Sequence, residues 1–110
     1  MSPESAGLDA IKAIHAESRL LKEGGAPVVL LPGFAFRAAG ADMRMDLLLH
    51  PSAHTGYTTR LFFQNQVSGR GANWKQYRVA DREWWAPSWQ NVPASMAWPA
   101  MLCAHLKAVA

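Results

Sequence analysis

Cysteine is nearly missing from this chain. Cys103 stands alone among 110 residues, so no disulfide can form within it, and one thiol accords with a reducing cytosol. Charge is sparse too: Asp, Glu, Lys and Arg make up 17% of the residues, and half of all residues are apolar. That balance excludes a disordered polyelectrolyte. No apolar run is long enough to cross a bilayer, and no apolar core follows a basic N-terminus, so the expectation is a soluble cytoplasmic protein without a membrane partner. Metal-ligand spacing is also lacking. His15, His50, His54 and His105 are scattered, and Cys103 and His105, two apart on a helix, point in different directions, so no metal site is expected. Gly69-Arg70-Gly71 has neither Walker nor dinucleotide spacing, and no cofactor is expected.

What remains is one small domain, residues 1–110, with a formal charge of +3. Ser2-Pro3-Glu4 has the form of a helix start, and Leu8, Ile11 and Ile14 recur at helical spacing, predicting a helix to about Glu17. His15 borders that stripe as a packing or solvent-facing residue. Gly24-Gly25 reads as a two-residue turn between Arg19–Glu23 and the β-branched run Pro27–Leu31, a buried strand. Pro32-Gly33 and Gly40 then suggest a loop holding Phe34 and Phe36. Asp42–His50 alternates, with Met43, Met45, Leu47 and Leu49 on one face. Thr58–Phe63 follows after a turn-rich connection. Four runs joined by short connections predict an antiparallel meander. A helix from about Pro99 to Val109 closes the chain, with Trp98, Leu102, His105, Leu106 and Val109 on one side. The class is α+β: an N-terminal helix, a four-stranded antiparallel meander, a long aromatic loop and a C-terminal helix.

All five tryptophans, Trp74, Trp84, Trp85, Trp89 and Trp98, lie in the long segment before the last helix, which holds no cysteine and no histidine. Trp74, Lys75, Tyr77, Arg78 and Arg82 are the candidate binding residues: flat rings interleaved with cations on the basic half of the chain. With Phe62, Arg60 and Arg70 they have the composition of a single-stranded nucleic-acid platform, although the same aromatics serve equally as core in a small domain, the reading favoured here. Tryptophans as anchors of self-association are a third reading. No catalytic residue is assigned. Asp81 and Glu83 flank Arg82 as surface charges, Ser68 has no identifiable base, and Cys103 reads as an inert packing residue at the edge of the last helix.

The order of these elements, together with Pro51, Gly56-Tyr57, Leu61-Phe62-Phe63, Trp85-Ala86-Pro87 and the helix after Pro99, resembles the ubiquitin-conjugating (UBC-like) family and its small bacterial relatives. The resemblance spans roughly Arg19 to Val109. It implies a UBC-like fold, a place in a bacterial ubiquitin-like modification pathway, and a ubiquitin-like protein, an activating-enzyme-like protein and a JAB-type peptidase as partners. The family's thioester cysteine belongs between the fourth strand and the tryptophan–proline element, and residues 64 to 83 contain none. The His-Pro-Asn tripeptide is missing there as well, and His50-Pro51-Ser52 precedes the last strand. The resemblance therefore implies a cysteine-less, non-catalytic member, with Lys75 the one amine in the loop.

Overall fold

The computed structural model describes residues 3–54, 56–67, 73–89 and 91–109. Helix α1 (Pro3–Lys12) leads into strands β1 (Arg19–Glu23), β2 (Ala26–Ala38), β3 (Ala41–His50), β4 (Arg60–Phe63), β5 (Lys75–Val79) and β6 (Arg82–Ala86), and helix α2 (Trp98–Leu106) follows. The strands form one antiparallel sheet in the order β1-β2-β3-β4-β6-β5. This corrects the UBC-like architecture of a four-stranded meander, long aromatic loop and terminal helices. The stretch expected to be a loop carries two further strands, with β6 beside β4 and β5 at the sheet edge.

Three of the hairpins close through two-residue loops: Gly24-Gly25, Ala39-Gly40 and Ala80-Asp81. Both residues of each loop have positive φ, the backbone twist that matches two right-twisted strands. Glycine meets that demand freely. Ala39, Ala80 and Asp81 do not, because a Cβ crowds the left-handed region. Both strained turns that begin with alanine are tied elsewhere. The Ala39 N–H donates to the Val109 carbonyl at 2.8 Å, and the Ala80 N–H donates to the Glu23 carboxylate at 2.6 Å.

Pro32-Gly33 does not end β2. The register shifts there, between Leu31 and Phe34, and Gly33 has φ +56°, so the pair forms a bulge inside a long strand. Its polar groups are met by side chains. The Gly33 N–H donates to Asp46 Oδ1 at 2.8 Å, Arg44 donates to the Gly33 carbonyl at 2.9 Å, and His15 Nε2–H donates to the Pro32 carbonyl at 2.6 Å. Phe34 and Phe36 are thus strand residues. Helix α1 stops at Lys12, five residues short of the predicted end, and Ile14 is 54% exposed instead of core. The chain turns there to enter β1, with Ile14 and His15 N–H both donating to the Ile11 carbonyl.

The sheet has two buried faces. On one, Val29, Leu31, Leu47, Leu49, Leu61 and Phe63 pack with Ile11 of α1 and Met101 and Leu102 of α2. Gly7 gives α1 its close approach to α2: a Cβ there would fall inside the indole of Trp98. The other face buries Val28, Leu48, Phe62, Val79, Trp84 and Ala86 in a cluster that contains no helix residue. It is covered by the sheet's own curl. Glu23, at the β1–β2 corner, reaches the β5–β6 turn from the opposite end of the strand order, and Trp84 Nε1–H donates to the Val79 carbonyl inside. Replacing Ala80-Asp81 by Asn-Gly relieves the strained turn and should raise unfolding free energy by about 1 kcal/mol, read by urea denaturation. Gly7→Ala should destabilise by about 1–3 kcal/mol through overpacking against Trp98.

Candidate functional site

The five sequence-predicted residues sit on the β5–β6 hairpin but do not converge. Alternation along β5 divides them between the sheet faces. Trp74, just before the strand, packs edge-on against Phe63 at 5.3 Å in the helix-side cluster. Arg78 is exposed on that side and pairs with Glu83 across the hairpin at 3.3 Å. On the other side Arg82 pairs with Asp46 at 2.9 Å and lies 4.4 Å over the Trp84 ring. Burial pushes the Asp46 carboxyl up, but the Gly33 N–H and Arg82 outweigh it and leave its pKa lowered. Lys75 is exposed at the start of β5. Tyr77 turns inward, its ring 5.7 Å from His54 and 5.8 Å from Phe62. Ser68, Arg70 and the Gly69–Gly71 loop lie outside the described residues.

Tyr77 leads instead to a buried cluster around Arg60 and Phe62, two residues grouped with it above as a candidate nucleic-acid platform. Arg60 opens β4 and is 2% exposed. Its guanidinium stacks 4.0 Å from the Tyr57 ring and 5.0 Å from the Tyr77 ring, and donates to the Pro87 carbonyl at 3.3 Å. His50, the last residue of β3, is also buried, with its ring 5.0 Å from that of His54. The His50 Nδ1–H donates to the Ser52 carbonyl at 2.9 Å. His54 and Tyr57 exchange backbone hydrogen bonds of 2.9 and 3.0 Å, which folds the β3–β4 connection over these rings. One signal in the sequence pointed here: in the alternation of β3 and β4, His50 and Arg60 share a face with Leu48 and Phe62. On a flat, half-solvated sheet that face is wet; on this curled one it is dry.

On the opposite face of β4, Thr59 joins three parts of the chain. Its hydroxyl donates to the Val92 carbonyl at 2.8 Å and accepts from the His105 Nε2–H at 2.8 Å. Thr58 donates to the same carbonyl at 2.8 Å. Burial, and secondarily Arg60, lower the His105 pKa to about 4. Burial also lowers His50, partly offset by the Ser52 carbonyl and Glu23. It lowers His54 as well, with His50 and Arg60 adding to the effect.

Two of these imidazoles touch hydroxyls, His105 that of Thr59 at 2.8 Å and His50 that of Ser52 at 3.4 Å. The Thr59 hydroxyl already donates to the Val92 carbonyl and His50 Nδ1–H to the Ser52 carbonyl, so neither imidazole is set as the base of a nucleophile. Cys103, expected to be packed, is exposed on α2. It is flanked there by exposed Ala100 and Lys107, while Met101, Leu102 and His105 face inward. The thiol and the histidine pair therefore lie on opposite sides of the sheet. No group of three or more His, Cys, Asp or Glu side chains among the described residues is arranged to hold a metal ion, and no described helix is long and apolar enough to cross a membrane. Comparison with known proteins finds no family model, curated protein or solved structure that matches the chain.

Thr59→Val keeps the shape of the side chain but leaves the His105 N–H without its acceptor. The expected loss is about 1–3 kcal/mol of unfolding free energy, measured by urea denaturation at neutral pH, with Thr58→Val costing less because its hydroxyl is on the surface.

Proposed function

We propose that the protein is a non-catalytic binding component of a bacterial ubiquitin-like modification pathway, acting in the cytoplasm, and that it meets its partner along the outer edge of β5. One observation carries the choice of surface. Strand β5 ends the sheet order and holds Lys75, Gln76 and Arg78 exposed. An extended segment adds to such an edge through main-chain hydrogen bonds, and side chains at alternate positions set which segment is accepted. Lysine and arginine on an edge also repel indiscriminate pairing, so the segment that binds is acidic. The residues that give the site its rings are held firmly from behind, Tyr77 by His54 and Phe62 and Trp74 by Phe63, which reduces the ordering cost of binding.

The partner class rests on the short sequence motifs alone, since the UBC-like architecture that ordered them is not the one observed: a ubiquitin-like protein first, with an activating-enzyme-like protein and a JAB-type peptidase as the other members of such a pathway. The basic aromatic half supports nucleic-acid binding less well. Base stacking needs open ring faces, whereas Phe62 is 0% and Trp84 1% exposed. Self-association through the same β5 edge is a competing occupant, and analytical ultracentrifugation over a concentration series tests it directly.

A ubiquitin-like protein titrated into the ¹⁵N-labelled chain at low salt should shift the amides of Lys75–Val79. The double variant Lys75→Glu/Arg78→Glu should weaken the interaction by roughly tenfold or more. Shifts confined to another surface remove β5 as the site, and no binding by any member of the pathway removes the functional reading.

A further inference from the structure

The first turn of β4 sits where several otherwise separate pieces of chain meet. From the β3 side come His50 and the connection bearing His54 and Tyr57; from β5 comes Tyr77; from the helix side comes His105, through Thr59. At their centre is Arg60, a permanent charge held between two tyrosine rings. We propose that this junction is an acid-operated latch. Proton uptake by His50, His54 and His105 around the fixed charge of Arg60 releases the β3–β4 connection and α2 from β4, while the β1-β2-β3 part of the sheet stays folded.

The argument is geometric first. The rings of His50 and His54 are 5.0 Å apart, so charging both places like charges side by side in a buried setting, with Arg60 next to them. The connection between them is tied by the His50–Ser52 hydrogen bond and the His54–Tyr57 backbone pair, and its rings pack against Phe62, Tyr77 and Arg60, so it depends on the groups that protonation would charge. Across β4, His105 is the polar link from α2 to Thr59, beside the apolar contacts of Met101 and Leu102, and the same Thr59 hydroxyl also secures the segment at Val92. A cation at His105 is repelled by Arg60, the next residue along from its partner. Each of the three imidazoles is already biased toward its neutral form, by burial first and by Arg60 in turn.

The countercharge is limited. Glu23 of β1 acts favourably on His50 and His54, but its carboxylate also holds the Ala80 N–H. Tyr57 and Tyr77 also face the pair, Tyr77 through its ring against His54 and Tyr57 through its backbone bonds to His54. Around His105, Asp9 and Lys12 of α1 are exposed, as are Cys103 and Lys107 of α2 itself. The described part of the 87–97 segment carries no titratable side chain. Among the described residues, Arg60 is the charge that acts on His105, and no carboxylate offsets it.

The sign follows from linkage. The three folded-state pKa values lie below the ordinary histidine value of about 6.5, so the opened chain binds more protons, and the closed junction loses stability as pH falls through that value toward about 4. Above about pH 7 the latch is fully closed.

The experiment is a pH series on the whole chain by NMR, following imidazole resonances and amide exchange together. All three histidines should titrate below 6.5, with His105 lowest. Between about pH 7 and pH 5, protection factors at residues 50–60 and 98–106 should fall by roughly tenfold or more, after correction for intrinsic exchange, while Val28–Leu31 and Leu47–Leu49 keep theirs. Arg60→Met should raise the midpoints of His54 and His105, and His54→Gln, at a half-exposed position, should flatten the pH dependence at residues 50–60 without unfolding the domain. Ordinary midpoints near 6.5 for all three would overturn the latch. So would a single cooperative loss of protection that takes in β2 and β3, or a pH profile unchanged in His54→Gln.

Discussion

Six strands with helices on only one side leave a whole sheet face to be covered, and burying that face governs much of this structure. The sheet curls until its two ends touch through one side chain, without pairing β1 to β5. Glu23 reaches across to the Ala80 N–H at 2.6 Å, and between those corners Val28, Leu48, Phe62 and Val79 have no measurable exposure. Burial of each such side chain contributes on the order of 1.5–3 kcal/mol, which outweighs the strain of a hairpin turn built from Ala80 and Asp81. The same enclosure explains why polar residues on that face are so fully occupied with one another. An arginine removed from water needs rings and carbonyls in place of solvent, and Arg60 finds them in Tyr57, Tyr77 and Pro87.

The helix side works differently. There the core is filled by residues distant in sequence, and its polar junction at Thr59 binds a strand, a loop and a helix through one hydroxyl. β4 carries both arrangements at once. All four of its residues are buried, so it has no solvent face to report what lies behind it. A change at its N-terminal end is felt on both sides of the sheet, and for that reason the histidines on the two sides share one neighbouring charge.

Parts of this were legible in the sequence and parts were not. The alternation of Asp42–His50 and the diglycine at 24–25 describe local geometry, and local geometry survives into the fold: a strand at Ala41–His50 and a turn with both φ values positive. The UBC-like architecture was not correct, because its long loop is a hairpin. Lys75–Val79 and Arg82–Ala86 are joined by Ala80-Asp81, a pair that lacks the glycine by which such turns are recognised. Pro32-Gly33 misled in the other direction, since a proline at a bulge does not interrupt the strand that contains it. Cys103 depended on helix phase, and a short helix leaves that phase to its packing partners. The largest gap concerned Arg60 and His50. Their faces were readable from alternation, but whether that face is wet or dry depends on the curl of the entire sheet, and no window of sequence contains that.

The bond from the Ala39 N–H to the Val109 carbonyl joins a local element to a distant one. The long β2–β3 hairpin is built from contacts close in sequence, the kind that form readily without help from remote segments. Its tip, however, contains a non-glycine residue at φ +50°, and the group that steadies it lies far along the chain, just beyond α2. Loosening the segment after α2 would therefore be felt at the opposite end of the hairpin, as a strained turn that has lost its anchor.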